Sequence, residues 1–386
     1  MQRYVLPLAL ALLSFSSLAQ RPFNKFGVSF GEAGIELNRS PDNVIRVFLD
    51  ENGYYYPDFF IADKSLCKSK GALDNWYRKN PEAFAQLCKQ YNINPNSGID
   101  VQIAALDDSI AAQKIKLINE KLNTVDGVDL LIHGFRKKAY GNIGRFSSHS
   151  TRDNQKWRQR LSHGRGERLF VEIYWDSKFI KGALNVAIGR KPFKLFEQSA
   201  IPNAKRVGAG LRTLVAGIQA EKINIFSHSL GAVVAAELLF SSIPSENPTP
   251  PQSVVNACFI APAIGADAFL NYYKRNTTMP YQENDNYRIL VIYNHNDFVL
   301  EKTYEWGKFR KSFMPTEFGN TSLGCNYDSD VQKLIELFES RFNSVENLYL
   351  YDFSFGQEAR PMTCHHVSCY VWHEKFAEVL ELMDER

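Results

Sequence analysis

Ile223-Asn224-Ile225-Phe226-Ser227-His228-Ser229-Leu230-Gly231, continued by Ala232-Val233-Val234-Ala235-Ala236-Glu237-Leu238-Leu239, is the stretch whose reading decides the fold. An apolar segment of β character runs into a turn of small residues, and the turn opens a strongly helical run. Such a strand–turn–helix places one serine hydroxyl at the carboxyl end of a strand. The turn is tight, so the positions two residues to either side of the exposed serine must be small. Ser227 and Gly231 meet that demand, with serine standing where glycine is usual. The amide of Leu230 falls at the helix start, where unpaired N–H groups can hold developing negative charge.

Three further segments supply partners. Upstream, Gly127–Phe135 reads as a buried strand ending in His133-Gly134-Phe135. Glycine there lets the chain approach a bound group closely, and the Phe135 N–H is the expected second oxyanion donor. His133 reads as a loop-bracing residue or a substrate-lining one. Downstream, Tyr287–Val299 is a strand ending in a polar turn that carries Asp297, with Asp267 as the rival acid. A helical segment follows over Asp328–Phe342, with apolar positions at helical spacing. A last strand, Leu348–Phe353, precedes Cys364-His365-His366. Each strand thus delivers its chemical residue at its carboxyl end, where open α/β sheets place their sites.

The order Ser229, Asp297, His366 is Ser…Asp…His. With these motifs the chain resembles an α/β-hydrolase of the lipase/esterase type. It is most similar to a bacterial branch of unassigned function, marked by an His-Gly-aromatic loop, a Trp after the next strand (Trp175), an His-Ser-Leu-Gly elbow and a late His. Ala261-Pro262-Ala263-Ile264-Gly265 also fits that branch, and the resemblance covers roughly residues 125–386. It implies a mostly parallel, doubly wound sheet in which His366 takes the proton of Ser229 as that serine attacks a carbonyl carbon, while Asp297 fixes the imidazole. Carboxylic ester cleavage through an acyl-enzyme, with no cofactor, is the implied activity. A catalytically silent binding protein on the same scaffold is the alternative.

Spacing does not separate the two adjacent histidines. His366 is taken as the base because it stands nearer a helix start, and His365, pointing oppositely, as substrate-lining together with His228 and Trp175. His373 reads as a residue on the face of a helix beginning at Tyr370. Cys364, His365, His366, Cys369 and His373 also raise a zinc site, but their spacing matches no common ligand pattern, and no metal is expected.

The 386 residues, 45% hydrophobic, allow one large α/β domain with additions. Met1–Leu13 carries one arginine before an apolar run, and Ser17-Leu18-Ala19 forms a small-x-small cleavage pattern. Residues 1–19 therefore read as a signal peptide, the apolar run being shorter than the ~20 residues a bilayer requires. Export to a periplasm or the exterior follows, with no transmembrane span after cleavage. Six cysteines then meet an oxidising setting. Cys67 with Cys88, and Cys325 with Cys364 or Cys369, are candidate pairs, and Cys258 reads as a buried thiol.

The net charge of +3 excludes nothing, but its distribution is uneven. Between Arg136 and Arg168 ten lysines and arginines face two acids, Asp153 and Glu167. This is either a solvated helix face or an electropositive approach to the site, in which Arg158 and Arg160 contact an anionic ester or lipid headgroup. Nucleic acid is excluded as a partner by the lack of aromatic interleaving.

Residues 20–124 read as an N-terminal region joined to the catalytic core of 125–386. Within it, Asn43–Tyr56 alternates around Glu51-Asn52-Gly53 and predicts a hairpin forming the antiparallel edge of the sheet. Helices over about Lys70–Tyr91 and Asp100–Leu122 form an appendage. Ser177–Gln198 is a loop or lid, followed by a helix over Ala200–Ala220.

Overall fold

The computed structural model describes residues 41–57, 72–135, 149–175, 200–240, 253–265, 287–297, 299–300, 303–306, 309–312, 322–325, 336, 347–356 and 359–385. The signal segment, Cys67, Asp267, the lid segment and nearly all of the Asp328–Phe342 helix lie outside them. Seven strands form one sheet in the order β1-β3-β2-β4-β5-β6-β9, every neighbouring pair parallel. They are β1 Val44–Leu49, β2 Gly127–Ile132, β3 Arg168–Trp175, β4 Lys222–His228, β5 Val254–Ile260, β6 Tyr287–Tyr293 and β9 Leu348–Asp352. A separate antiparallel pair joins β7 (Thr303–Trp306) to β8 (Phe309–Ser312). The architecture is α/β. The central strands are buried almost end to end, because a parallel sheet is covered on both faces and its strands must be apolar throughout.

Helices supply that cover. In order they are α1 Leu73–Lys79, α2 Pro81–Gln90, α3 Ile99–Leu122, α4 His149–Leu161, α5 Ile201–Gly210, α6 Arg212–Ala216, α7 Gly231–Phe240, α8 Val367–Val371 and α9 Phe376–Asp384. In α3 the buried positions Ile103, Leu106, Ile110, Lys114 and Ile118 recur at three- and four-residue spacing, so one stripe packs inward. In α7 every residue is buried, as befits a helix leaving the middle of the sheet. Among the described residues no helix is long and apolar enough to cross a membrane.

The expected N-terminal hairpin does not supply an antiparallel edge to the sheet. The turn at Glu51-Asn52-Gly53 is present, but β1 joins the sheet parallel to β3, and the returning chain makes one isolated bridge, Leu49 to Tyr55. Side chains explain the difference. Asp50 accepts the amides of Asn52 and Tyr54 on one oxygen and that of Leu73 on the other. The Tyr55 amide is taken by Asp107 of α3 at 2.6 Å. The Tyr54 and Tyr55 amides thus go to carboxylates, and the ladder stops at two backbone bonds, Asp50 N–H to Tyr54 O at 3.0 Å and Tyr56 N–H to Phe48 O at 2.9 Å. Burial, opposed by these amides, pushes the Asp50 carboxyl up to about 6 and that of Asp107 to about 7.

Three helical readings divide in the structure, and the Ala200–Ala220 segment is α5 and α6, separated at Leu211. Pro81 opens α2 and divides the Lys70–Tyr91 segment, since proline suits a first turn and not an interior. The expected helix from Tyr370 is likewise two, α8 and α9, parted around Trp372–Lys375.

Candidate active site

Because all seven strands run one way, their carboxyl ends share one edge, and the chemical residues gather there. His133–Phe135 follows β2, Ser229 follows β4, Asp297 follows β6 and His365 follows β9. From β2 the chain moves to β3 on one side, whereas β4 lies on the other and leads away to β5. Connections that leave in opposite directions open a crevice between β2 and β4, the usual ligand position in such sheets.

Ser229 occupies the left-handed region at φ 55°, a strained conformation for a residue with a Cβ. Its backbone is fixed on both sides: its amide donates to Ile260 O at 3.0 Å, and its carbonyl accepts the amides of Ala232 and Ala263. The strain persists because the neighbouring strand end over-determines it. Gly231 lies so close to β2 that a Cβ would come within 2.6 Å of Ile132 O and 2.9 Å of His133 O. Gly134 closes the opposite wall, where a Cβ would sit 2.7 Å from both His228 O and Ser229 Cβ. The elbow and the His-Gly-Phe loop therefore pack with no room for a Cβ at either glycine. Among the described residues the Leu230 amide, just before the first turn of α7, has no acceptor.

Ser229 is 3% exposed, and the imidazole beside it is that of His365. His365 Nε2 lies 3.0 Å from Ser229 Oγ, and Nδ1 lies 2.7 Å from Asp297 Oδ2. With Nδ1–H donating to the carboxylate, Nε2 is left as acceptor for the serine hydroxyl. This corrects the choice of His366, which sits exposed at the N-cap of α8. Adjacent residues in extended backbone face opposite ways, and non-local contacts decide which turns inward. His228 Nε2 donates to the His365 carbonyl at 2.9 Å, and a Cys364–Cys369 disulfide closes the loop that holds His365.

Asp297 is fully buried, and Val299 and Leu300 donate their amides to its Oδ1 at 3.0 and 3.1 Å. Its Oδ2 receives, besides the imidazole, the hydroxyl of Tyr370 at 2.6 Å. Tyr370, Asn294 and the Cys364–Cys369 pair are the members of this cluster that sequence reading missed. The available signal was the cysteine pair itself, five residues apart and bracketing both histidines. Cys325 is instead a buried thiol directed at the carbonyls of His295 and Asp297. Cys88 and Cys258 are buried free thiols. The disulfide occupies both sulfurs that a zinc reading would need.

The remaining candidates divide. His133 and Trp175 are buried and brace each other: Trp175 Nε1 donates to His133 O at 2.8 Å, the Trp175 amide donates to His133 Nε2 at 3.3 Å, and the rings stack. They support the loop carrying Phe135. His228 faces the His365 ring at 4.9 Å and acts on that loop. His373 stacks on Phe353 and donates from Nε2 to Phe355 O.

Arg158 and Arg160 do not form an approach for anions. Arg158 Nε lies 2.9 Å from Glu172 Oε1, an ion pair without hydrogen-bond geometry, and Glu172, buried in β3, also accepts from Arg46. Arg160 Nε donates to Val371 O, and its guanidinium lies over the Phe376 ring. Arg158 is thus paired with a buried carboxylate, and Arg160 is held against a backbone carbonyl and an aromatic ring.

No protein-family model and no curated protein matches the chain. Among solved structures, an esterase from Pyrococcus furiosus aligns at 13% identity over 68% of this chain and 79% of its own, with a TM-score of 0.30. A protein assigned as a cell surface hydrolase from Lactobacillus plantarum aligns at 12% identity over 55% of this chain and 90% of its own, with a TM-score of 0.24.

Proposed function

We propose that this chain is a serine hydrolase of the α/β-hydrolase class that cleaves carboxylic esters. The observation that carries the reading is the relay Ser229 Oγ–His365 Nε2 at 3.0 Å and His365 Nδ1–Asp297 Oδ2 at 2.7 Å, built on a strained serine at the carboxyl edge of a parallel sheet. In the proposed reaction Ser229 Oγ attacks the ester carbonyl as its proton passes to His365 Nε2. Asp297 stabilises the imidazolium through Nδ1–H. The carbonyl oxygen, now carrying the charge, is held by the amides of Leu230 and Phe135. The imidazolium returns its proton to the departing alcohol, and water then cleaves the acyl-enzyme by the same steps. The Cys364–Cys369 disulfide supports an oxidising location and with it the reading of residues 1–19 as an export signal.

A fluorophosphonate probe tests the chemistry. It is expected to label the wild type stoichiometrically at Ser229 and to leave Ser229→Ala unlabelled. Equal labelling of both would end the proposal. A panel of p-nitrophenyl esters varied in acyl length and charge then ranks substrates.

The oxyanion assignment has its own expected outcome. In Gly134→Ala the new methyl would meet His228 O and Ser229 Cβ at 2.7 Å, and neither atom can move cheaply. The Phe135 amide is displaced, and kcat is expected to fall by about 10²–10³. Steady-state kinetics within a few-fold of wild type would show that this loop contributes no donor.

A further inference from the structure

The donors around Asp297 carry one step more, which rests on the triad reading above. Each carboxylate oxygen has two of them. Oδ1 takes the Val299 and Leu300 amides, while Oδ2 takes His365 Nδ1–H at 2.7 Å and the Tyr370 hydroxyl at 2.6 Å. Tyr370 comes from α8, only five residues beyond His365, and is itself buried. Its oxygen accepts from Asn294 Nδ2 at 3.4 Å, and Asn294 Nδ2 also reaches Met362 O at 2.7 Å and Cys364 O at 3.4 Å. The same amide thus touches the tyrosine and two carbonyls of the loop that delivers the histidine. Burial first, and the adjacent carboxylate second, hold the phenol well above its ordinary range, so it stays a neutral donor.

We propose that Tyr370 is a positioning residue: by sharing the charge on Asp297 Oδ2 it sets both the orientation of His365 and the proton affinity of its imidazole. The other titratable groups facing this pair among the described residues are Ser229, His228 (ring 4.9 Å from that of His365) and the Cys325 thiol at 4.0 Å from Asp297 O. None of them donates to Oδ2. Without the phenol, negative charge concentrates on the oxygen that faces Nδ1, the imidazolium is stabilised, and deprotonation of His365 moves to higher pH. The carboxylate also loses one of the bonds that fixes its plane, while nothing in contact with substrate changes.

The test is the pH dependence of p-nitrophenyl acetate hydrolysis. Tyr370→Phe is expected to raise the acid limb of kcat/KM by about half a pH unit and to lower kcat about three- to tenfold, with KM unchanged. A second variant guards against a misfolded first one. Site-specific 3-fluorotyrosine at position 370 keeps the shape but donates more strongly, so the acid limb should move down. A residue that merely fills space would move neither limb. An acid limb that stays in place in the fluorotyrosine protein, or in a folded Tyr370→Phe, overturns the inference while the triad reading stands. A wild type that neither labels with fluorophosphonate nor turns over the ester overturns both.

Discussion

His365→Ala is expected to lower kcat by about 10⁴–10⁶, whereas His366→Ala should stay within about twofold of wild type. The asymmetry follows from geometry alone. His365 spans the 3.0 Å to Ser229 Oγ and the 2.7 Å to Asp297, and its removal leaves a serine with no proton acceptor. His366 occupies the exposed N-cap of a five-residue helix, and its loss alters the solvent face of that helix end. Because triad members act as a unit, His365→Ala combined with Ser229→Ala should cost little more than either alone. Steady-state rates on p-nitrophenyl butyrate, with fluorophosphonate labelling as a second readout, decide it. A His366→Ala enzyme as crippled as His365→Ala would mean that the loop rearranges when substrate arrives and that the 3.0 Å contact is not the working one.

The misassignment of the base shows where sequence reasoning stops. The strands were legible because their apolar runs are long and bounded, and the serine elbow because strand, small-residue turn and helix adjoin in the chain. Placing the acid after β6 needed only the order of segments. Choosing between His365 and His366 needed the rotation of one dipeptide, which His228 sets from 137 residues away and the Cys364–Cys369 bond sets by closing the loop around it. The hairpin failed for a related reason. Asn43–Tyr56 has the right alternation and keeps two backbone bonds across its turn, but the amides of Tyr54 and Tyr55 are captured by Asp50 and by Asp107, which lies 52 residues beyond Tyr55. The arginines misled differently. A charge count cannot reveal that Arg158 faces Glu172, although an acid in the middle of the apolar run Leu169–Tyr174 was a visible hint that a cation must come to meet it.

Buried charge also sets the largest stability effect expected here. Asp129 lies near the amino end of β2, fully buried, between two arginines. Arg165 Nη1 reaches its Oδ2 at 2.9 Å, and Arg168 Nη2 reaches its Oδ1 at 2.5 Å. Asn224 of β4 adds a third donor at 3.1 Å and passes the row on to Asn256 of β5, which donates to Met383 O and so ties α9 to the sheet. Asp129→Ala leaves two nearly buried guanidinium groups with only Asp384 to share. It should cost about 3–5 kcal/mol, the usual penalty for stranding buried charge. Asp384→Ala, whose carboxylate is 34% exposed, should cost less than about 1 kcal/mol, because water replaces it. Urea midpoints at unchanged slope measure both. Replacing Asp129, Arg165 and Arg168 together by apolar residues should recover much of the loss, since the cost lies in uncompensated cations more than in the net worth of the pairs. The same strands carry His133–Phe135 and Ser229 at their other ends, so whatever Asp129→Ala protein remains folded should label with fluorophosphonate at the wild-type rate. A midpoint within 1 kcal/mol of wild type would mean that water reaches this row, and that the amino edge of the sheet is not what holds α9 in place.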